Sequence, residues 1–337
     1  MPKTLISFGT RPEFIKLQPL MKKMDGVIAY ETLFTGQHVD LVDYNSADQH
    51  ISMSPKNNNR LDSIVACIME NIDFLNISSV IVQGDTTSAF AVALSAFHHN
   101  IPVIHLEAGL RTYNLGQPYP EEANRQMVSR IASLHLCPTI QARLRLVDEK
   151  VSGRIEIVGN TVLDNLVDIK TSNKNQILVT MHRRENHSNI KDWFTEIDNL
   201  AGNHPEYQFL LPIHPNPAVM DHAGILKNVD VVGPMCYNKL TEYLSECSFV
   251  VTDSGGIQEE AAFLKKPCLV CRKETERTEG LDNFSLLCEE PELLTKRFDQ
   301  LGFLKMEGAC PYGDGRASEK IVRILQDEDP YSGENEF

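Results

Sequence analysis

The chain alternates short apolar, β-branched runs with polar turns, each followed by apolar residues at helical spacing. Two of the runs are Leu5-Ile6-Ser7-Phe8 and Ser79-Val80-Ile81-Val82-Gln83, and a glycine turn follows each, at Gly9 and Gly84. Runs that are apolar on both faces are typical of strands buried in a parallel sheet. The pattern therefore predicts an α/β fold built on doubly wound parallel sheets.

The alternation occurs in both halves of the 337 residues, a length sufficient for two ordinary domains. Further predicted strands end at Phe34, Leu106, Thr180, Ile213, Val232, Val251 and Val270. Residues 170–176 are polar and lack an apolar period, so we predict a linker there. The predicted domains are residues 1–169 and 170–325, and residues 326–337 form a tail that packs back on the first domain. Ligands of such sheets bind beyond the carboxyl ends of the strands, so two Rossmann-like domains predict an active-site cleft between them.

The turn Asp253-Ser254-Gly255-Gly256 follows the predicted strand that ends at Val251 and begins a helix. A helix N-terminus presents unpaired backbone N–H groups and the positive end of the helix dipole, which suits a phosphate. Glu260, about one turn into this helix, could accept hydrogen bonds from the hydroxyls of a ribose. The alternative is an ordinary βα turn capped by Asp or Ser.

Candidate acid/base groups lie in the first half. Asp85 and Glu107 follow two of the predicted strands, and Glu121 begins a predicted helix. Carboxylates can move protons when burial and neighbours tune them. Glu121 and Arg125 have i, i+4 spacing, so a surface ion pair on the helix is the alternative for this pair.

Candidate anion-binding groups occur in both halves. Arg11 and Lys16 lie at the start of the first predicted helix, where the alternative role is surface solubility. In the second half His182, Arg183 and His214 follow predicted strands, where a histidine can instead be structural. No His-Glu-x-x-His or Gly-x-Ser-x-Gly spacing occurs, so we predict no metal, no cofactor and no serine triad.

Composition restricts the class of partner. A net charge of −14 argues against nucleic acid, whose binding requires broad neutralisation of phosphates. No apolar run approaches the roughly 18 residues that span a bilayer, and Met1-Pro2-Lys3 leads directly into a strand-like run. We therefore expect a cytoplasmic protein that binds a small anion and does not enter a membrane. The eight scattered cysteines are expected to be reduced thiols, mostly in the core.

Several motifs, taken in order, closely resemble the UDP-N-acetylglucosamine 2-epimerase family. They are Gly9-Thr10-Arg11-Pro12-Glu13, Gly84-Asp85-Thr86, His105-Leu106-Glu107-Ala108-Gly109-Leu110-Arg111-Thr112, Pro120-Glu121-Glu122-Ala123-Asn124-Arg125, His182-Arg183-Arg184-Glu185, Asp253-Ser254-Gly255-Gly256-Ile257-Gln258-Glu259-Glu260 and Pro311-Tyr312-Gly313-Asp314-Gly315. The resemblance runs from about residue 4 to residue 325. It implies a glycosyltransferase-B-type fold, a homodimer, and interconversion of UDP-N-acetylglucosamine and UDP-N-acetylmannosamine for glycan or surface polysaccharide synthesis.

The resemblance also implies a mechanism and roles for residues. Anti elimination of UDP with loss of the C2 proton would give 2-acetamidoglucal, and re-addition of UDP would give the other epimer. The acid/base candidates are Asp85, Glu107 and Glu121, and His214 would stabilise the departing diphosphate. The implied contacts to the UDP-sugar come from Arg11, Lys16, Arg125, His182, Arg183, Ser254, Gly255 and Gly256, with Glu260 on the ribose.

The family has hydrolysing and non-hydrolysing members, and the segments around Glu107 and Glu121 resemble the latter. Two departures from the family pattern stand out. Bacterial non-hydrolysing members usually have an arginine after a Gln-His pair, in a segment linked to a regulatory second-substrate site, whereas this chain has Gln37-His38-Val39-Asp40. The segment Thr275-Glu276-Arg277-Thr278-Glu279 has threonine in place of the family's proline. Alternatives are a hydrolysing epimerase, an epimerase of a UDP-diacetamido uronic sugar, a glycosyltransferase of the same fold, and a nucleotide-sugar-binding module that has lost catalysis.

Overall fold

The computed structural model describes residues 2–37, 47–52, 60–327 and 331. Its strands are β1 (Lys3–Phe8), β2 (Tyr30–Phe34), β3 (Gln49–His50), β4 (Ile77–Gln83), β5 (Val103–Leu106), β6 (Leu134–Cys137), β7 (Arg154–Ile157), β8 (Gln176–Thr180), β9 (Gln208–Pro212), β10 (Asp230–Val232), β11 (Phe249–Thr252), β12 (Cys268–Cys271) and β13 (Ser285–Cys288). Its α-helices are α1 (Arg11–Met24), α2 (Arg60–Asn71), α3 (Thr87–His98), α4 (Glu121–Ile131), α5 (Ile140–Asp148), α6 (Ile190–Asn203), α7 (Pro217–Met220), α8 (Tyr237–Glu246), α9 (Gly255–Phe263), α10 (Leu294–Phe298) and α11 (Ala317–Leu325).

The chain forms two compact units, each with its own parallel sheet. Unit 1 comprises residues 1–165 and 313–337, and unit 2 comprises residues 166–312. The strand order is β3-β2-β1-β4-β5-β6-β7 in unit 1 and β10-β9-β8-β11-β12-β13 in unit 2. In both, the first strand of the unit lies in the middle of the sheet and the order reverses beside it. The predicted pair of doubly wound parallel sheets is confirmed, and each sheet has one switch point, β1/β4 in unit 1 and β8/β11 in unit 2.

Burial on both faces of each sheet explains the apolar runs. In unit 1 one face packs against α2, α3 and α4, and the other packs against α1 and α11. A second core in unit 2 surrounds Trp193 and Phe194 of α6. Strands covered on both sides have no polar face, and this is why they appear in the sequence as unbroken apolar runs.

Side-chain caps fix where the helices begin at the two switch points. Thr10 and Glu13 form a capping box at the start of α1, and Thr86 accepts a hydrogen bond from the backbone N–H of Ala89 at the start of α3. Ser254 accepts one from the backbone N–H of Ile257 at the start of α9. Each of these helices therefore starts within a few residues of a strand end, with its N-terminus at the carboxyl edge of its sheet.

The last helix belongs to unit 1 rather than to the second domain predicted over residues 170–325. Ile321 and Val322 of α11 are buried in the same cluster as Leu17 and Leu20 of α1. Asp164 accepts hydrogen bonds from the first two backbone N–H groups of α11, at 3.0 and 2.7 Å. The apolar stripe of α11 could not reveal which sheet it would cover, so the boundary at residue 325 is corrected to a return into unit 1 at Gly313. Tyr331 packs against the same cluster.

The eight cysteines are unpaired, as expected, and five of them are buried: Cys137, Cys247, Cys268, Cys271 and Cys288. Across residues 2–37, 47–52 and 60–327 no helix is long and apolar enough to cross a membrane.

Candidate active site

The switch point of unit 1 is bridged by the buried carboxylate of Glu13. One oxygen accepts from the backbone N–H groups of Gly9 and Thr10 at 2.9 and 2.8 Å, and the other accepts from the Thr86 hydroxyl at 2.7 Å. Burial raises the pKa of Glu13, and these hydrogen bonds oppose that rise. The carboxylate thus joins the turn after β1 to the turn after β4 and uses backbone N–H groups that would otherwise face the crevice.

Glu107 lies directly after β5 and is buried, with 7% of its surface exposed. Its φ is +64°, the left-handed region, which residues other than glycine adopt mainly under constraint. The Lys16 ammonium lies 2.5 Å from its Oε2, the Gln83 amide also donates to Oε2, and the Asn160 amide donates to Oε1 at 3.4 Å. Lys16 is therefore no surface-solubilising residue, because it pairs with a candidate acid/base group.

Asp85 lies in the turn between β4 and α3, and α4 holds both its main chain and its side chain. The Asn124 amide donates to the Asp85 backbone carbonyl at 2.9 Å, and the Arg125 guanidinium contacts Asp85 Oδ2 from two nitrogens at 2.6 and 2.7 Å. Arg125 is only 4% exposed and also pairs with Glu122 at 3.1 Å. The interpretation of Arg125 as a surface residue is therefore wrong.

Glu121 and Glu122 share a sequence motif but have different surroundings. Glu121 is the first residue of α4 and is partly buried, four residues before Arg125 and hence close to the Asp85 turn. Glu122 is fully buried and accepts from the backbone N–H groups of Thr112 and Tyr113 at 3.0 and 3.1 Å. We therefore interpret Glu122 as the anchor of the loop that follows Glu107, and Glu121 stays the acid/base candidate of this pair.

Two buried histidines face one another across β5 and β6 in unit 1. His105 Nε2 lies 2.8 Å from the carbonyl of Gly84, and His135 Nε2 lies 2.8 Å from that of Ser152. Because a carbonyl only accepts, both Nε2 atoms carry the proton. Burial lowers the pKa of His105 to about 3 and that of His135 to about 4. His105 is thus a neutral donor that fixes the turn carrying Asp85.

The switch point of unit 2 is also bridged by a carboxylate, that of Asp253, which is fully buried directly after β11. It accepts from the backbone N–H groups of His182 and Arg183, both after β8, at 2.9 and 2.8 Å. The Asn186 amide donates to it at 3.2 Å. Arg183 therefore contacts Asp253 through its main chain, and its partly buried side chain begins beside this crevice.

His182 and His214 stack in unit 2, with ring centroids 5.7 Å apart and planes inclined by 20°. His182 Nδ1 lies 3.4 Å from Asp253 Oδ1, so the carboxylate attracts the proton of that nitrogen. The backbone N–H of Asn216 donates to His214 Nδ1 at 3.2 Å, which places the proton of neutral His214 on Nε2. Burial lowers the pKa of both rings. Neutral His214 therefore offers an N–H to an anion.

The first residues of α9 combine a helix N-terminus with a tightly packed backbone. Gly255 and Gly256 supply its first N–H groups, which have no partner inside the helix. A Cβ on Gly255 would lie 2.3 Å from Arg277 Nη1, so a larger residue would displace the turn or Arg277. Arg277 is itself buried between Glu259 and Glu276. The segment that departs from the family pattern thus packs directly behind the candidate phosphate turn, and Thr278 begins a short 3₁₀ turn after it.

Glu260, the candidate ribose ligand, is buried in unit 2 with 4% of its surface exposed. The hydroxyl of Tyr237, the first residue of α8, donates to its Oε1 at 2.8 Å. Sequence reasoning did not single out Tyr237, Gln83 or Asp253 for a role of its own. In the sequence, the only signal of a role for these three residues is their position beside a strand end or a helix start.

The remaining predicted groups have simple placements. Arg11 is the partly buried first residue of α1, and Ser254 caps α9. The regulatory site considered at Gln37-His38-Val39-Asp40 falls largely outside the described residues, since only Gln37 is described. Its amide oxygen accepts from the Ser88 backbone N–H at 3.0 Å. Among the described residues no three His, Cys, Asp or Glu side chains are grouped so as to bind a metal ion.

Comparison with known proteins adds independent evidence. A family model described as UDP-N-acetylglucosamine 2-epimerase matches residues 23–326. The UDP-N-acetylglucosamine 2-epimerases of Campylobacter jejuni and Salmonella borreze are 37% and 35% identical to the chain, each covering 96% of it and 97% of the relative. A crystal structure of the Neisseria meningitidis enzyme bound to UDP-GlcNAc aligns with a TM-score of 0.88 at 34% identity, covering 96% of this chain and 99% of that one.

These matches confirm the resemblance inferred from the motifs and the glycosyltransferase-B-type fold class. They extend over almost the whole of the chain and almost the whole of each relative, so no large part of either lacks a counterpart. The chain belongs to the UDP-N-acetylglucosamine 2-epimerase family.

Proposed function

We propose that this chain interconverts UDP-N-acetylglucosamine and UDP-N-acetylmannosamine without releasing the free sugar. In the forward direction a carboxylate takes the C2 proton, the bond from C1 to the UDP oxygen breaks with its electron pair leaving on UDP, and a C1=C2 double bond forms. The product of this anti elimination is 2-acetamidoglucal. A proton added to the opposite face of C2, with return of the UDP oxygen to C1, gives the epimer. The product would be a precursor of a glycan or surface polysaccharide.

One observation carries the proposal: unit 1 gathers carboxylates around one turn. Asp85 lies in that turn, directly after Gly84. A Cβ placed on Gly84 would lie 3.6 Å from Oε2 of Glu107, so this carboxylate borders the turn. Glu121 begins the helix whose Arg125 contacts Asp85. Two proton transfers on opposite faces of C2 need more than one acid/base group, so a carboxylate set suits this reaction better than a lone base.

Unit 2 has the groups that a departing diphosphate needs. Breaking the C1–O bond places negative charge on UDP, and preorganised donors stabilise charge that develops in the transition state. We assign this role to His214 Nε2–H, to the N–H groups of Gly255 and Gly256, and to the Ser254 hydroxyl. We assign His182 and Arg183 to the nucleotide and Glu260 to the ribose hydroxyls. Arg11 is assigned to the phosphates, whereas the contacts of Lys16 and Arg125 also support a role on the carboxylates.

The experiment is proton NMR of the purified protein with UDP-N-acetylglucosamine in deuterated water, without added metal or acceptor. We expect UDP-N-acetylmannosamine with deuterium at C2. Free N-acetylmannosamine together with UDP would show a hydrolysing epimerase and overturn the non-hydrolysing assignment. An unchanged substrate would overturn the substrate assignment, and UDP-diacetamido uronic sugars would be tested next, followed by glycosyl acceptors. Light scattering of the same preparation tests the homodimer that we propose for it, and a monomer mass would contradict it.

A further inference from the structure

Gln83, the last residue of β4, directly contacts a candidate acid/base group and has no assigned role. It is 3% exposed, and its amide nitrogen donates to Glu107 Oε2. Gln83 pairs in register with Leu106 of β5, the residue before Glu107, and the backbone N–H of Gly84 donates to the Leu106 carbonyl at 2.9 Å. The parallel ladder therefore places this amide beside the carboxylate by backbone geometry, without a flexible loop.

The groups that contact Glu107 differ in the hydrogen bonds that they can make to its ionised and its protonated forms. Lys16 has three N–H donors and no acceptor, so it can hydrogen-bond only to a lone pair of the carboxyl group. Gln83 has a donor and an acceptor on one planar group. An ionised carboxylate only accepts, so it requires the amide nitrogen, whereas a protonated carboxyl can donate to the amide oxygen after a rotation of the amide. A primary amide is therefore suited to a carboxyl group that gains and loses a proton in each cycle.

We propose that Gln83 is a positioning residue that hydrogen-bonds Glu107 in both of its protonation states during epimerisation. The inference rests on the proposed function, because it requires Glu107 to exchange a proton with the substrate. Gln83 itself gains and loses no proton. It keeps the carboxyl in one place while the backbone of Glu107 stays in its left-handed conformation, with φ at +64°.

A purely structural role is the competing explanation, and the same sheet contains a matched control. Glu31 of β2 is contacted by the Lys3 ammonium at 2.7 Å and by the Gln49 amide at 3.3 Å, which repeats the trio of Glu, Lys and Gln. The two trios therefore use the same side-chain chemistry, but Glu31 and Gln49 lie on the two outermost strands at one side of the sheet, β2 and β3. Gln49→Met removes a hydrogen bond of the same kind away from the carboxylates.

The test compares Gln83→Met, which keeps length but loses donor and acceptor, with Gln83→Glu, which keeps shape but adds a like charge. For Gln83→Met we expect kcat to fall about 10- to 100-fold, since a misplaced group loses much of its effectiveness, with KM within about threefold. For Gln83→Glu the limb of the kcat–pH profile that reports Glu107 should move to higher pH by about one unit, because a like charge disfavours ionisation. Gln49→Met should retain the wild-type kcat and pH profile.

The double variant Gln83→Met with Glu107→Gln should be no slower than Glu107→Gln alone, since Gln83 acts through Glu107. Additive losses, or wild-type kcat and pH profile in Gln83→Met, would overturn the proposal. If Gln83→Met does not fold, the isosteric Gln83→Glu decides by its pH profile, and an unmoved profile rejects the role. Wild-type protein that exchanges no deuterium at C2 overturns the proposed function and this role together. Exchange in the wild type with unaltered Gln83 variants overturns the role of Gln83 alone.

Discussion

The two units have the same strand order around their switch points, but they use a buried carboxylate there in different ways. In unit 1 Glu13 lies in the first turn of α1 and accepts hydrogen bonds from the backbone N–H groups of Gly9 and Thr10, just before that helix. In unit 2 Asp253 comes before α9 and accepts the N–H groups of His182 and Arg183 after β8. The Glu13 carboxylate therefore lies at the start of its own helix, whereas the Asp253 carboxylate is bonded to the turn after β8.

Because of this difference, the same strand order presents different groups at the carboxyl edges of the two sheets. With the Glu13 carboxylate bonded to the turn before it and no N–H on Pro12, the start of α1 is a poor phosphate site, and the carboxyl edge of unit 1 carries Asp85, Glu107 and Glu121 instead. Unit 2 keeps the N-terminus of α9 and adds neutral histidines. This contrast supports the proposed division, with proton chemistry in unit 1 and most of the nucleotide contacts in unit 2, and experiments can contradict each half of it.

The strongest change in turnover should come from removing an acid/base candidate of unit 1. Glu107→Gln keeps the size of the side chain but removes its ability to exchange a proton, so kcat for epimerisation should fall about 10²- to 10⁴-fold. The affinity for UDP should stay within about threefold, because the phosphate contacts assigned to unit 2 are unchanged. NMR turnover and isothermal titration with UDP measure the two quantities.

Glu31→Gln is the control for that variant, because Glu31 also accepts from a lysine and a glutamine of the same sheet. It should retain wild-type turnover. If Glu107→Gln lost UDP affinity as severely as it lost kcat, the division of tasks between the units would be wrong.

The second effect tests unit 2 at α9. In Gly255→Ala the new Cβ would lie 2.3 Å from Nη1 of Arg277, which is buried between two glutamates and cannot swing away. We expect a loss of about 2–3 kcal/mol in the free energy of unfolding from overpacking. Because the turn must shift, UDP binding should weaken with it. Thermal melting and UDP titration measure the two effects.

Gly256→Ala is the matched comparison, since its Cβ would meet nothing closer than Ser254 Oγ at 3.9 Å. Alanine is favoured over glycine inside a helix by up to about 1 kcal/mol, so this variant should be as stable as the wild type or more stable. Equal destabilisation by the two substitutions would show that the Arg277 contact does not determine the need for glycine.

The architecture of both units could be predicted from the sequence because strands buried on two faces leave unbroken apolar runs. Strands with weaker patterns were missed, such as β3 with two residues and β13, Ser285–Cys288. The predicted assignment of α11 to the second domain is also wrong. The apolar stripe of an amphipathic helix shows that the helix packs against another element, but not which sheet that is. Local pattern determines elements, whereas long-range partners determine units.

The candidate site was predictable as a set of positions but not as a set of contacts. Residues at strand ends identify Asp85 and Glu107, because parallel strands bring their carboxyl ends to one edge. The pairing of Arg125 with Asp85, 40 residues apart, follows from the packing of α4 and has no local signal. The same is true of the proton on His214 Nε2, which depends on a backbone N–H two residues away in a turn.

The third effect concerns the acid sensitivity that a buried histidine gives to unit 1. The pKa of His135 is lowered to about 4 in the folded state, and an unfolded histidine has a value of about 6.5. The unfolded chain therefore takes up a proton that the folded chain refuses, so this stability is present above pH 6.5 and is lost as pH falls toward 4. Between pH 7 and pH 5 the loss from one such histidine is about 2 kcal/mol.

His135→Gln can still donate to the carbonyl of Ser152 and should lose about 2 kcal/mol less than the wild type over that interval. Hydrogen exchange of β6 amides in increasing urea, at pH 7 and pH 5, reports unit 1 separately. His98→Gln, at an exposed histidine, should follow the wild type. A slope unchanged by His135→Gln would remove this histidine as a source of acid sensitivity.

The smallest effect concerns the ribose end of unit 2. Tyr237→Phe removes the hydroxyl that donates to Glu260 Oε1 at 2.8 Å and leaves the ring in place. A net hydrogen bond to a charged group contributes about 1.5–3 kcal/mol, but water or the ribose can replace this one at the bound state. We therefore expect KM for the UDP-sugar to rise by only about two- to fivefold, with kcat unchanged.

The substrate's own hydroxyls distinguish this effect from a general loss of packing. If Tyr237 orients Glu260 for the ribose, UDP and the 2′-deoxy analogue should bind Tyr237→Phe with nearly equal affinity, while the wild type prefers UDP. A drop in kcat at constant KM would instead connect Tyr237 to the proton chemistry assigned to unit 1. The division of tasks would then fail on the side of unit 2, because a residue of the nucleotide-binding unit would act on the reaction step itself.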